Sequence, residues 1–162
     1  MVRESILQHI FNAKKAHVKW VKRADYLISG LPIDKDFIPL EPTECGFGMW
    51  MYGEGAKLRL LEELNILVSK IEYRHNQVHD SYLHIYKLFF LLPKQRGMIA
   101  NILTLNSKKP TTKDVNHARL HFDDLQESSD KLLILLGELE KAVYTLESVE
   151  LDHIFSAMYT NR

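Results

Sequence analysis

Apolar residues in this chain return in alternating steps of four and three over long spans, a period that only an α-helix buries on one side. The first such stripe runs Ile6, Ile10, Ala13, His17, Trp20, Ala24 and Leu27 and predicts a helix over roughly residues 3 to 29. Gly30 and Pro32 should stop it, and the following run to Thr43, with Pro39 and Pro42, reads as a loop. A short helical turn is expected to start near Glu44 and Cys45 and to break at Gly53-Glu54-Gly55, which sets Cys45 close to a helix N-terminus.

From Ala56 a second stripe follows at Leu61, Leu64, Val68, Ile71, His75, His79, Tyr82, Tyr86 and Phe89. Pro93 should end or kink that helix, and residues 94–109 read as irregular with a short helix over 98–103. Thr111 with Asp114 three positions on has the form of a capping box, so a last long helix should begin there. Its stripe is Val115, Ala118, Phe122, Leu125, Ser129, Leu132, Leu136, Leu139, Val143 and Leu146. Leu133 and Leu135 widen this face and leave apolar surface for a partner chain. No period-two run of useful length, internal repeat or low-complexity tract interrupts the pattern. The expectation is an all-α protein, an antiparallel four-helix-type bundle of three long helices and one short helix carrying the cysteine. At 162 residues it should form a single domain over 1–162 with a real core.

Charge narrows the function. Lys plus Arg and Asp plus Glu both number 21, so no net field draws in nucleic acid or an anionic membrane. The basic cluster Lys14, Lys15, Lys19, Lys22 and Arg23 lies on the polar side of the first helix, without the interleaved aromatics of a nucleic-acid platform. The opening residues lack a basic segment followed by an apolar run, and no stretch is long and apolar enough to span a bilayer, so a cytoplasmic protein is expected. A single cysteine, Cys45, excludes an internal disulfide and leaves a core thiol, a reactive thiol or a metal ligand.

Histidines on the apolar stripes carry the chemistry. Each buried imidazole has two ring nitrogens to satisfy away from water. One such residue alone is most often a hydrogen-bonded core histidine, but three in one bundle call for a common partner. His75 and His79 stand one helical turn apart on the buried face, a spacing at which two imidazoles grip one metal ion. His17 and Cys45 raise the possible donor count to four, and a cysteine with three histidines suits tetrahedral zinc. A helix N-terminus beside Cys45 would favour its thiolate. Trp20, Phe47 and Trp50 are placed to pack over the site, and Glu54, Glu72 and Asp80 are the carboxylates expected to orient its ligands.

These residues also carry a resemblance. His17-Val18-Lys19-Trp20, then Cys45-Gly46-Phe47-Gly48-Met49-Trp50-Met51-Tyr52-Gly53-Glu54-Gly55, then His75-Asn76-Gln77-Val78-His79 resemble three motifs of the bacterial chemoreceptor zinc-binding domain, over roughly residues 10 to 90. The resemblance implies a helical bundle, often a homodimer, with one zinc ion on His17, Cys45, His75 and His79. It also implies a sensory module whose zinc occupancy, or oxidation of Cys45, changes a chemotaxis or cyclic-di-GMP output through a signalling protein. The chain has no cyclase module and no methyl-accepting hairpin, so it is expected to be a stand-alone or isolated domain.

Other readings stay open at this stage. A hemerythrin-like metal carrier or metalloenzyme would want a second carboxylate–histidine motif on a facing helix, and four protein ligands leave no open position for a substrate, so no enzyme is expected. An adaptor with a purely structural zinc is the third possibility. His117 and His121, a second pair one turn apart, flank the last stripe and read as solvated, while His9, His84 and His153 stand without company.

Overall fold

A computed structural model describes residues 2–92 and 109–156. Its elements are α1 (Val2–Ile28), α2 (Gly46–Tyr52), a 3-10 helix (Glu54–Leu60), α3 (Glu62–Tyr86) running on through a π-helical turn (Lys87–Leu91), α4 (Thr112–Thr145) and α5 (Ser148–Ser156). No strand occurs among the described residues, and the protein is all-α with its helices packed as a bundle.

Side-chain contacts give the helix directions. As α2 runs from Phe47 to Trp50, its partners on α1 run back from His17 to His9, so α2 descends where α1 ascends. Along α3 from His75 to His79 the partners on α1 advance from His17 to Trp20, so those two helices share a direction. Helix α4 opposes both: Lys14 pairs with Glu140 and Asp25 with Arg119, while His84 stacks on His121 and Arg74 acts electrostatically on Glu127. The order is up, down, up, down, with the short α2 and the 3-10 helix as the second leg.

The predicted stripes form the core. Ile6 and Ile10 of α1, Leu64 and Ile71 of α3, and Leu132, Leu136 and Leu139 of α4 are each at most 2% exposed. Burial of each such side chain stabilises the fold by about 1.5–3 kcal/mol. Gly30, at φ +86°, ends α1 in the left-handed conformation that costs an L side chain energy, and its N–H and that of Leu31 bond back to the carbonyls of Leu27 and Tyr26. At the start of α4, Thr111 Oγ1 accepts from the Asp114 N–H at 3.2 Å and Asp114 Oδ2 accepts from the Thr111 N–H at 2.7 Å, the expected capping box.

Two features depart from or extend the sequence reading. The helix expected from Ala56 is a 3-10 helix up to Leu60, and α3 begins only at Glu62, after Leu61 in an extended conformation. A Cβ at Gly55 would lie 3.0 Å from the Trp50 ring, so glycine lets the chain pass close to that indole here. A short α5, too brief for a clear period, buries Leu151 and Ile154, and Lys57 Nζ donates to the Phe155 carbonyl at 3.0 Å. The expected break at Pro93 and the irregular region up to residue 108 lie outside the described residues.

Candidate metal centre

Cys45 is the N-cap of α2. Its φ of −77° and ψ of 152° turn the chain into the helix while Sγ accepts the Gly48 N–H at 3.1 Å. The same sulfur lies 3.2 Å from His75 Nε2 on α3. One turn further along α3, His79 joins them, and the donor atoms of Cys45, His75 and His79 all fall within 4.8 Å of one another. Among the described residues this is the one group of three or more such donors. His17 on α1 stands just outside that set, with its ring 5.5 Å from the His75 ring between centroids. All four residues are at most 2% exposed.

The hydrogen bonds fix two of the rings. His17 Nδ1 meets the Ala13 carbonyl at 2.7 Å, and His79 Nδ1 meets the Pro39 and Leu40 carbonyls at 3.1 and 3.3 Å. A carbonyl oxygen only accepts, so both rings carry the proton on Nδ1 and keep a lone pair on Nε2. Those two Nε2 atoms, and Nδ1 of His75, are buried without a hydrogen-bond partner. The free Nε2 lone pairs of His17 and His79 are what a bound cation would relieve, whereas His75 turns Nε2 to the sulfur and leaves Nδ1 on the other side of its ring. Fixing a ligand imidazole through its far nitrogen is also a usual outer-shell device of metal sites.

Electrostatics agree with a neutral, cation-accepting pocket. Burial holds His17 down to about 4 and His75 down to about 2, the latter reinforced by the neighbouring His79 and His17. Burial also lowers His79, against the opposing pull of the Leu40 and Pro39 carbonyls. All three are therefore uncharged donors at neutral pH. Burial pushes the Cys45 thiol up and outweighs the stabilising N–H groups of Gly48 and Phe47. The helix start alone therefore does not make the expected thiolate, and a cation bound at the sulfur would supply the missing charge.

Close packing holds these groups in place. A Cβ on Gly48 would sit 1.7 Å from the Pro42 carbonyl oxygen and 3.3 Å from the His75 ring, so only glycine lets α2 lie this close to the loop and to α3. Trp20 covers His17 and His79 at 5.0 and 5.3 Å between centroids, and Phe47 meets His75 edge-on at 5.2 Å. Trp50 lies one layer further out, between Phe47 and His9, whose ring stacks on the indole at 5.0 Å.

Several contributors were invisible in sequence. His9 showed no company because its partner lies on another helix. The groups that orient the rings are backbone carbonyls, which leave no residue signature. Of the expected carboxylates, Glu72 is engaged with Arg59, and Asp80 acts on His79 only through space.

Residues 17–86 match the family described as the chemoreceptor zinc-binding domain. Over this segment the chain is similar to a chemoreceptor zinc-binding domain. The match opens at His17 and takes in Cys45, His75 and His79, so the zinc named by the family meets the donor group found in the fold. No curated protein and no solved structure matches the chain. Helix α4 lies beyond the matched segment, and no described helix is long and apolar enough to cross a membrane.

Proposed function

We propose that the chain is a cytoplasmic zinc-dependent regulatory module, one domain over residues 1–162, in which His17, Cys45, His75 and His79 hold a single zinc ion. Changes in zinc availability, or oxidation of Cys45, alter the packing of α1, α2 and α3. A bacterial signalling protein of the chemotaxis or cyclic-di-GMP type reads that change. The module is not an enzyme, because four protein ligands leave zinc no position for a substrate.

The observation that supports this reading is the buried group of Cys45, His75 and His79 donors within 4.8 Å of one another, with the His17 ring 5.5 Å from that of His75 and the Nε2 atoms of His17 and His79 without a hydrogen-bond partner. Zinc supplies a divalent charge that keeps the thiolate and ties those helices together. Cys45 Sγ, held by the Gly48 N–H, sets where α2 begins. His79, through the Pro39 and Leu40 carbonyls, anchors the loop that leads to the cysteine. Losing the metal frees the sulfur and the rings, and oxidising the sulfur makes it a poorer ligand.

A homodimer fits the outer face. Ile66 and Tyr73 of α3 and Ile134 of α4 are 70%, 58% and 62% exposed beside the half-buried Leu135, and together they line a groove of about 650 Å³. An apolar groove between two helices suits an apolar helix face of a second copy.

The position of His17 favours one second reading. Standing outside the tight group of three, it leaves room for a site on Cys45, His75 and His79 alone, with the fourth position facing a cleft of about 310 Å³ between α1 and α2. His17→Ala separates the two: the four-ligand site loses most of its zinc affinity, and the three-ligand site keeps it. Hydrogen exchange with and without chelator tests the regulatory claim. Protection of amides around residues 17, 45 and 75–79 should fall when zinc is removed, and unchanged exchange throughout the bundle would refute it.

A further inference from the structure

Away from the zinc chamber, on the outer side of α3, the rings of His84 and His121 stack face to face across two helices at 4.5 Å and 10°. They share a polar cleft of about 490 Å³ with Asp80 and Asp124. Each helix thus offers a carboxylate about one turn from an imidazole: Asp80 and His84 on α3, His121 and Asp124 on α4. Paired carboxylate–histidine donors on facing antiparallel helices are a bundle's usual way of building a metal site. At the other end of the same cleft Arg74 donates to Gln77 at 2.6 Å and acts on the Glu127 carboxylate, which lines that end with it.

We propose that this cleft is a second divalent-cation site, distinct in position from the Cys45 chamber, with His84 and His121 as nitrogen ligands and Asp80 and Asp124 as oxygen ligands. Two nitrogens and two carboxylates select a transition ion such as Zn²⁺ over Mg²⁺ or Ca²⁺. Burial and the neighbouring His84 lower the proton affinity of His121 against the pull of Asp124, which keeps its lone pair free at neutral pH. A dication resolves a conflict that protons cannot, because two adjacent imidazolium rings repel whereas one ion serves both rings and both carboxylates. The four donors are not gathered within 4.8 Å, so the site closes on the ion by rotating solvent-facing side chains, which places its affinity below that of the buried centre.

The test is a calorimetric titration of the full chain, already loaded at the Cys45 site, with Zn²⁺. A second, weaker equivalent should bind, and His84→Ala and His121→Ala should each weaken it about tenfold or more while the first equivalent stays in place. His117→Ala should leave both equivalents unchanged. A missing second equivalent overturns the proposal, as does one that survives His84→Ala but not His117→Ala, which would be the intrahelical His117–His121 pair. A second equivalent indifferent to every variant is an adventitious surface ion and overturns it equally. Retention of the first equivalent reports that each variant is folded, and failure of that first site would count against the regulatory reading and not against this one.

Discussion

The sulfur of Cys45 and Nε2 of His75, 30 residues apart in sequence, face each other at 3.2 Å in the core. Two ligands of one tetrahedral zinc, at bond lengths of about 2.3 Å to sulfur and 2.0 Å to nitrogen, lie roughly 3.6 Å apart. The pair is therefore set at nearly the separation a shared ion requires.

Gly48→Ala should be among the most damaging single-methyl changes in the chain. Its Cβ would fall 1.7 Å from the Pro42 carbonyl oxygen, a backbone atom that cannot step aside. A loss of about 3 kcal/mol or more is expected from such overpacking, with weaker zinc binding because α2 must lift away from His75. Gly46→Ala, which meets nothing within 4 Å, is the control and should change stability by no more than about 1 kcal/mol. Urea midpoints of the two variants check this.

Acid should destabilise the metal-free protein before most of its carboxylates titrate. Burial holds His17 at about 4 in the fold against an ordinary 6.5, so the unfolded chain binds the extra proton first. The sign follows from linkage: above the unfolded value both states are neutral and nothing is lost, and stability then falls as pH drops from about 6.5 towards about 4. His75, held at about 2, extends the same loss to lower pH. Denaturation midpoints of chelator-treated protein should therefore decline between about pH 7.5 and 5, and less steeply in His17→Ala. A flat profile would mean that these rings are not buried as described.

How much of this was legible in sequence depends on the kind of force involved. The helical stripes, the stop at Gly30 and the Thr111–Asp114 cap are local and periodic, and they appear where expected. The grouping of Cys45, His75 and His79 was legible because the histidine spacing and the cysteine motif suggested donors that converge. What stayed hidden is tertiary: the close passage of Gly55 against Trp50, the carbonyls that aim His17 and His79, and the stacking of His84 on His121 across helices that the sequence keeps far apart. His17 shows the limit most clearly, since the stripe and the family motif both point to it while the fold leaves it at the edge of the donor group.

Charge placed in the α3–α4 groove should separate a dimer. Ile66→Glu and Ile134→Glu each put a carboxylate into an exposed apolar surface, so the folded monomer should lose little stability. Burying that charge at a self-association face costs several kcal/mol, enough to shift the equilibrium by more than tenfold. Sedimentation velocity should show a dimer for the natural chain and a monomer for either variant. A dimer unaffected by both would place the interface elsewhere.

Thr111→Ala removes the side-chain acceptor that satisfies the Asp114 N–H at the start of α4. A loss of about 1 kcal/mol is expected, whereas Thr112→Ala, an exposed position in the first turn, should fall within about 0.5 kcal/mol of the natural protein. Urea midpoints measured with the metal bound resolve a difference of that size.

Zinc content by elemental analysis is the most direct measurement. Protein purified from zinc-replete medium should carry one zinc per chain, and Cys45→Ala and His79→Ala should each lose it while remaining helical by circular dichroism. If the natural chain carried no zinc, or if Cys45→Ala retained a full equivalent at undiminished affinity, the buried thiol and imidazoles would not be the zinc site.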